Sequence, residues 1–193
     1  MHQAIMHFPS HWFYSGEVYA APQVHNRSIL DYDTPLVWLD TSGQDFQEEF
    51  VGDSYGRINK SEANLLLTEL ENYIKRIGPK RMLDERIDFG IISPYKAQVQ
   101  YLRNEIKRSR FLQPFKAAIT VHTVDGFQGQ ERDVIFISLV RANDDGQIGF
   151  LSDLRRMNVA ITRARMKLVI LGDASTLTKH KFYRELFEYI KLL

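Results

Sequence analysis

The chain has 193 residues, 44% of them hydrophobic and 25% charged, which is enough for one domain with a full core and too apolar for a disordered segment. It has no cysteine, so disulfides and cysteine-ligated zinc or iron–sulfur sites are excluded, and a reducing compartment is suited. The formal net charge of +1 does not by itself point to nucleic acid.

No apolar run reaches the roughly 18 residues that a membrane span needs. The N-terminus lacks the basic lead and long apolar stretch of a signal peptide. The expectation is a soluble cytoplasmic protein with no membrane partner. The segment His2 to Tyr14 is apolar and aromatic and is interrupted by Pro9, which predicts a short helix, a turn and a second apolar piece. Leu36 to Asp40 reads as a buried strand. Thr41 to Lys60 is polar and glycine-containing and reads as a long loop. Ser61 is placed to cap a helix whose face is Leu66, Leu70, Tyr73, Ile74 and Ile77, ended by Gly78-Pro79. Phe89 to Ile92 is a second buried strand. Ser93-Pro94 follows as cap and first helical residue, before a face of Val99, Leu102 and Ile106. Ala118 to Val124 and Val134 to Leu139 read as strands. Leu154, Met157, Ile161 and Ala164 mark another helix, Lys167 to Leu171 a strand, and His180 to Leu192 a last helix.

Strands apolar on both faces that alternate with helices predict one α/β domain over residues 1–193 with a parallel sheet. In such sheets ligands sit beyond the carboxyl ends of the strands, so residues that follow strands are the candidates. Charge is segregated along the chain. Asp31 to Asn72 holds ten acidic and two basic residues, Lys80 to Arg110 eight basic and four acidic, and Arg155 to Lys167 five basic and none acidic. Solvated faces and strips that meet phosphates explain this equally well.

Three stretches carry candidate chemistry. Thr123-Val124-Asp125-Gly126-Phe127-Gln128-Gly129-Gln130-Glu131-Arg132-Asp133 lies between two predicted strands, and its glycines permit close backbone approach to a ligand. A plain glycine-rich connection is the competing reading. Between Arg155 and Arg165, Arg156 and Arg163 lie seven residues apart and would share a helix face opposite the apolar stripe. An arginine held there can reach a phosphate bidentately, and a basic solvated face is the alternative. Arg165 would fall near the stripe, so either the helix has ended or Arg165 is paired. Ser93-Pro94-Tyr95-Lys96-Ala97-Gln98 suits an anion at a helix start, with Tyr95 able to stack on a base. His2, His7 and His11 invite a metal, but Pro9 should break the helix between the last two, and no metal site is expected. No G-x-x-x-x-G-K-[ST] pattern occurs, so a complete phosphate cradle is absent and the chain alone should hydrolyse ATP poorly.

In order, residues and spacing, these stretches resemble motifs IV, V and VI of Upf-like superfamily 1 helicases. Ile91 to Gln98 resembles motif IV, Thr123 to Ile135 motif V, and Arg155 to Arg165 motif VI; Val140 to Asn143 and Gly149 to Leu151 resemble the stretch between. Met1-His2 resembles the last half of a Tyr-Arg-Met-His signature. That implies that an adenine-stacking tyrosine and a first phosphate-binding arginine lie upstream.

The resemblance implies a RecA-like three-layer α/β/α sandwich, the second such domain of a helicase. It also implies an ATP and Mg2+ site shared with a first RecA-like domain, single-stranded DNA or RNA as partner, monomeric action and 5′→3′ movement. It further implies that Arg163 is an arginine finger on the γ-phosphate. Gly129, Glu131 and Arg165 would join it at the nucleotide, and Ser93, Pro94, Tyr95, Thr123 and Val124 would lie beside the strand. Gln128 and Arg156 would couple the two sites. The rival expectation is a non-catalytic RecA-like module that binds nucleic acid or protein.

Overall fold

A computed structural model describes residues 1–52 and 56–193. Its centre is a five-stranded, wholly parallel sheet in the order β1-β7-β6-β4-β5. The strands are β1 (Leu36–Asp40), β4 (Phe89–Ile92), β5 (Ile119–His122), β6 (Arg132–Ser138) and β7 (Ala164–Gly172). Alternate residues of each strand face opposite sides, so the sheet carries two cores. Phe89, Ile91, Val134, Phe136, Val169 and Leu171 meet α2 (Lys60–Ile77) and α4 (Lys96–Arg108) on one face. Ile92, Ile135, Ile137, Leu168 and Ile170 meet α1 (Gln3–Tyr14), α5 (Leu154–Ile161) and α7 (Lys181–Lys191) on the other. This is the RecA-like three-layer arrangement. Two short helices, α3 (Pro79–Asp84) and α6 (Ala174–Leu177), complete the helical set. Among the described residues no helix is long and apolar enough to cross a membrane.

Four local expectations are corrected. Pro9 does not break α1, which runs from Gln3 through Tyr14. Losing one backbone donor and crowding the preceding turn costs about 3 kcal/mol. Phe8 and Trp12 offset this by packing edge-on against Phe182, with centroids 5.3 and 5.1 Å away. His7 and His11 consequently lie on one helix face with rings 5.3 Å apart. Asn59, not Ser61, caps α2: its side chain accepts from the Glu62 N–H at 3.0 Å.

The stretch 41–60 is not all loop. It contains an antiparallel hairpin of β2 (Glu49–Val51) and β3 (Gly56–Ile58), with Phe50 opposite Arg57. Finally, α4 begins at Lys96 with Tyr95 as its N-cap residue, so Ser93 and Pro94 precede the helix. The Ser93 hydroxyl accepts only a long 3.5 Å bond from the Tyr95 N–H.

Candidate nucleotide edge and nucleic-acid cleft

The segment from Thr123 to Glu131 leaves the carboxyl end of β5 and enters the amino end of β6, so it crosses the domain from one end of the sheet to the other. Phe127 pins it in the middle and is fully buried. The slot for Phe127 exists because residue 90 is glycine: a Cβ there would lie 2.8 Å from the Phe127 ring and 2.5 Å from Ile135. A Cβ on Gly126 would sit 1.6 Å from the His122 ring, which is exposed and would have to turn aside. Gly129 differs. It is exposed, takes φ +74, and has nothing within 4 Å of a would-be Cβ, so the backbone there is open to a ligand.

α5 makes the same crossing. Asp153 caps its start, its carboxylate accepting from the Arg155 N–H at 3.2 Å. Hydrogen bonding to the Arg155 side chain holds the Asp153 carboxyl below its usual value. Met157, Ala160 and Ile161 face the core, while Arg156 is exposed and reaches Asp125 at 3.3 Å. The helix ends at Ile161, so the expected shared face of Arg156 and Arg163 does not exist, and Ala164 opens β7 rather than extending the stripe. Arg163 stands in the turn. Its Nε donates to the Val159 carbonyl at 3.1 Å, satisfying one of the carbonyls that a helix end leaves free. Its Nη atoms reach the Gln130 carbonyl at 3.4 Å and the Thr162 hydroxyl at 3.3 Å. Among the described residues Arg163 has no carboxylate partner. Arg165 meets both expectations for it: the helix has ended, and the guanidinium lies 3.5 Å from both Glu131 and Asp133.

The candidates therefore fall into two groups, and the expectation that they all follow strands is corrected. Gly129 and Glu131 precede β6, and Arg163 and Arg165 flank the start of β7; the Arg132 N–H ties the two starts by donating to the Arg163 carbonyl at 2.9 Å. These four form an edge at the amino ends of the strands. Ser93, Pro94, Tyr95, Thr123 and Val124 lie at the opposite, carboxyl end. There the Ser93 N–H donates to the His122 carbonyl at 3.3 Å. Pro94, Thr123, Val124, Phe150 and Arg156 line one narrow crevice.

Ser93 is buried, and Tyr95 is only 3% exposed, its ring 5.4 Å from that of Phe150. Tyr95 thus supports the crevice wall and offers no free face to a base. Gln128 is exposed between the two groups. Lys167 is removed from the supposed phosphate strip: it is buried on β7, where its ammonium donates to Asp33 at 3.0 Å and to the Thr34 carbonyl at 2.7 Å. Burial holds its pKa below the usual value. Sequence reasoning also missed Glu48, a buried carboxylate that pairs with Arg57 at 3.2 Å and Arg141 at 2.7 Å. Nothing in its polar surroundings in the sequence signals that role.

The AAA domain family matches residues 1–175. The chain belongs to that family. Among relatives of this AAA domain, the DNA polymerase alpha-associated DNA helicase A of Saccharomyces cerevisiae is 38% identical over 198 residues, covering 93% of this chain and 27% of the relative. Helicase SEN1 of the same yeast is 38% identical, over 99% of this chain and 9% of its own length. A regulator of nonsense transcripts 1 homolog from Neurospora crassa is 33% identical, over 99% of this chain and 17% of its own. The AAA domain thus spans about a quarter or less of the length of these relatives. It is a RecA-like domain of the Upf-like superfamily 1 group, the one that carries motifs IV, V and VI.

Proposed function

We propose that this AAA domain is the C-terminal motor domain of an ATP-dependent DNA or RNA helicase, working as one half of a nucleotide-gated clamp on a single strand. The observation that carries the reading is the division of the candidate residues between two ends of one rigid sheet, joined by residues 123–131 and by α5. At the amino edge, Arg163 is held by neutral acceptors only, so its charge is available to a γ-phosphate presented by a first RecA-like domain. Gly129 leaves backbone open beside it, and Glu131 and Arg165 neutralise one another nearby. Among the described residues no cluster of three or more acidic or histidine side chains could hold a metal ion. ATP with magnesium would be bound jointly with the first RecA-like domain.

At the carboxyl end, Pro94, Thr123, Val124 and Arg156 present a crevice to the strand, with Ser93 and Tyr95 as its buried support. Grip there is electrostatic and tolerant of sequence. Coupling is mechanical. Closing the cleft on the γ-phosphate pulls on Arg163 and the turn after α5, and the Arg156–Asp125 pair transmits the shift to the loop that carries Thr123 and Gln128. An arginine finger is typically worth about 10³–10⁵ in turnover, roughly 4–7 kcal/mol.

The test is ATP hydrolysis by the full-length protein that carries this domain, with and without single-stranded DNA and RNA, beside its Arg163→Ala variant. Stimulated turnover that collapses in the variant is the expected result. Turnover at the original rate would overturn the assignment.

A further inference from the structure

Beside the crevice lies a second cleft of about 420 Å3 whose lining, Tyr95 apart, falls outside the three motif stretches. Its lining includes Phe50 and Arg57 of the β2–β3 hairpin, Tyr95, Arg141 and Phe150. Phe50 is 69% exposed and Phe150 50% exposed. Two large aromatic faces left in water beside one opening mark a binding surface. Their surroundings define its chemistry. The Arg57 guanidinium carbon sits over the Phe50 ring, 3.4 Å from its centre, while Phe150 rests against Tyr95, whose hydroxyl accepts from Arg141 at 3.5 Å. Arg57 and Arg141, the charged residues of its described lining, share the single carboxylate of Glu48, which leaves an excess of positive charge between them. Arginine and aromatic planes interleaved in a positive cleft match a chain of stacked bases on a phosphate backbone.

Phe150 also lines the crevice of Pro94, Thr123 and Arg156, so the two depressions lie side by side with Phe150 as their shared wall. We infer that the β2–β3 hairpin extends the nucleic-acid track, with Phe50 and Phe150 stacking on successive bases of a single strand that leaves the crevice. The inference rests on the strand-gripping function proposed above and adds the residues that hold bases rather than phosphates.

The test compares binding of two fluorescent oligonucleotides of equal charge, one of about ten thymidines and one of about ten abasic residues, to the full-length protein. Phe150→Ala and Phe50→Ala are each expected to weaken thymidine binding about 5- to 150-fold and to leave abasic binding unchanged. Phe150→Tyr and Phe50→Tyr should keep the preference for bases, while Phe150→Leu and Phe50→Leu, which retain apolar bulk, should lose it. Equal losses on both oligonucleotides, or none on either, would overturn the stacking inference. If the unchanged protein binds both oligonucleotides and the phenylalanine variants bind as it does, the strand-gripping function survives and only the stacking falls. If the unchanged protein binds neither, both fall together.

Discussion

Glu62 is a buried carboxylate whose ionisation the fold opposes. It lies in α2, fully buried, with Oε1 accepting from the Ser138 hydroxyl at 2.5 Å and from the Val140 N–H at 2.9 Å, while Oε2 has no partner among the described residues. Burial pushes its pKa up to about 7 from 4.5; the bonds to Ser138 and Val140 oppose that rise, and the nearby Asp173 charge adds to it. The sign follows from linkage. Below about pH 4.5 the carboxyl is protonated in folded and unfolded chains alike, and full stability is present. As pH rises from 4.5 towards 7 the unfolded chain ionises first, so stability falls, and the loss levels off once the folded form also ionises. A shift of this size corresponds to about 3 kcal/mol, lost almost entirely by pH 8.

Glu62→Gln keeps the shape and removes the titration. Its amide places donors where Oε2 found no partner, so its stability should be lower by about 1–3 kcal/mol at acid pH. The diagnostic quantity is the slope. Urea unfolding at several pH values from about 4 to 8.5 should show the original chain losing about 3 kcal/mol relative to the variant. Parallel profiles would refute the assignment of that loss to Glu62.

Three further outcomes follow from the same geometry. Glu48→Ala removes the carboxylate that pairs with both the buried Arg141 and Arg57, and should cost about 3–5 kcal/mol in denaturant unfolding; a cost below about 1 would show that the arginines find water instead. Gly90→Ala drives a methyl into Phe127 and Ile135. It should destabilise by about 1–3 kcal/mol and raise amide hydrogen exchange across residues 123–131, the loop that Phe127 pins; unchanged exchange there would remove Phe127 as its anchor. Arg163→Lys cannot reproduce the planar fork, so it should leave thermal unfolding unchanged while depressing strand-stimulated ATP hydrolysis nearly as far as alanine does. A melting shift of several degrees would mean that the three neutral hydrogen bonds of Arg163 serve the fold instead.

Much of this molecule is local in origin and therefore legible along the chain. The apolar runs at Leu36, Phe89, Val134 and Lys167 became the predicted strands, because a strand covered on both faces reads as a near-continuous apolar run. The helix faces of Leu66–Ile77 and Val99–Ile106 followed from their spacing, and the end of α2 from Gly78, whose φ of +90 other residues resist. What the sequence could not determine is where the glycine and arginine stretches lie, because crossover connections decide which end of the sheet a residue reaches. Gly129 and Arg163 stand at the amino edge and Pro94 and Thr123 at the carboxyl edge, although all four adjoin strands.

Burial is equally non-local. Lys167 counts as one charge in a basic strip until Asp33, 134 residues away, is found beside it. Tyr95 reads as a stacking face until Phe150 covers it. The polar stretch around Glu48 reads as loop until the hairpin folds its carboxylate against Arg57 and Arg141. Periodicity records which side of an element avoids water. Only the packed structure decides which distant group takes water's place.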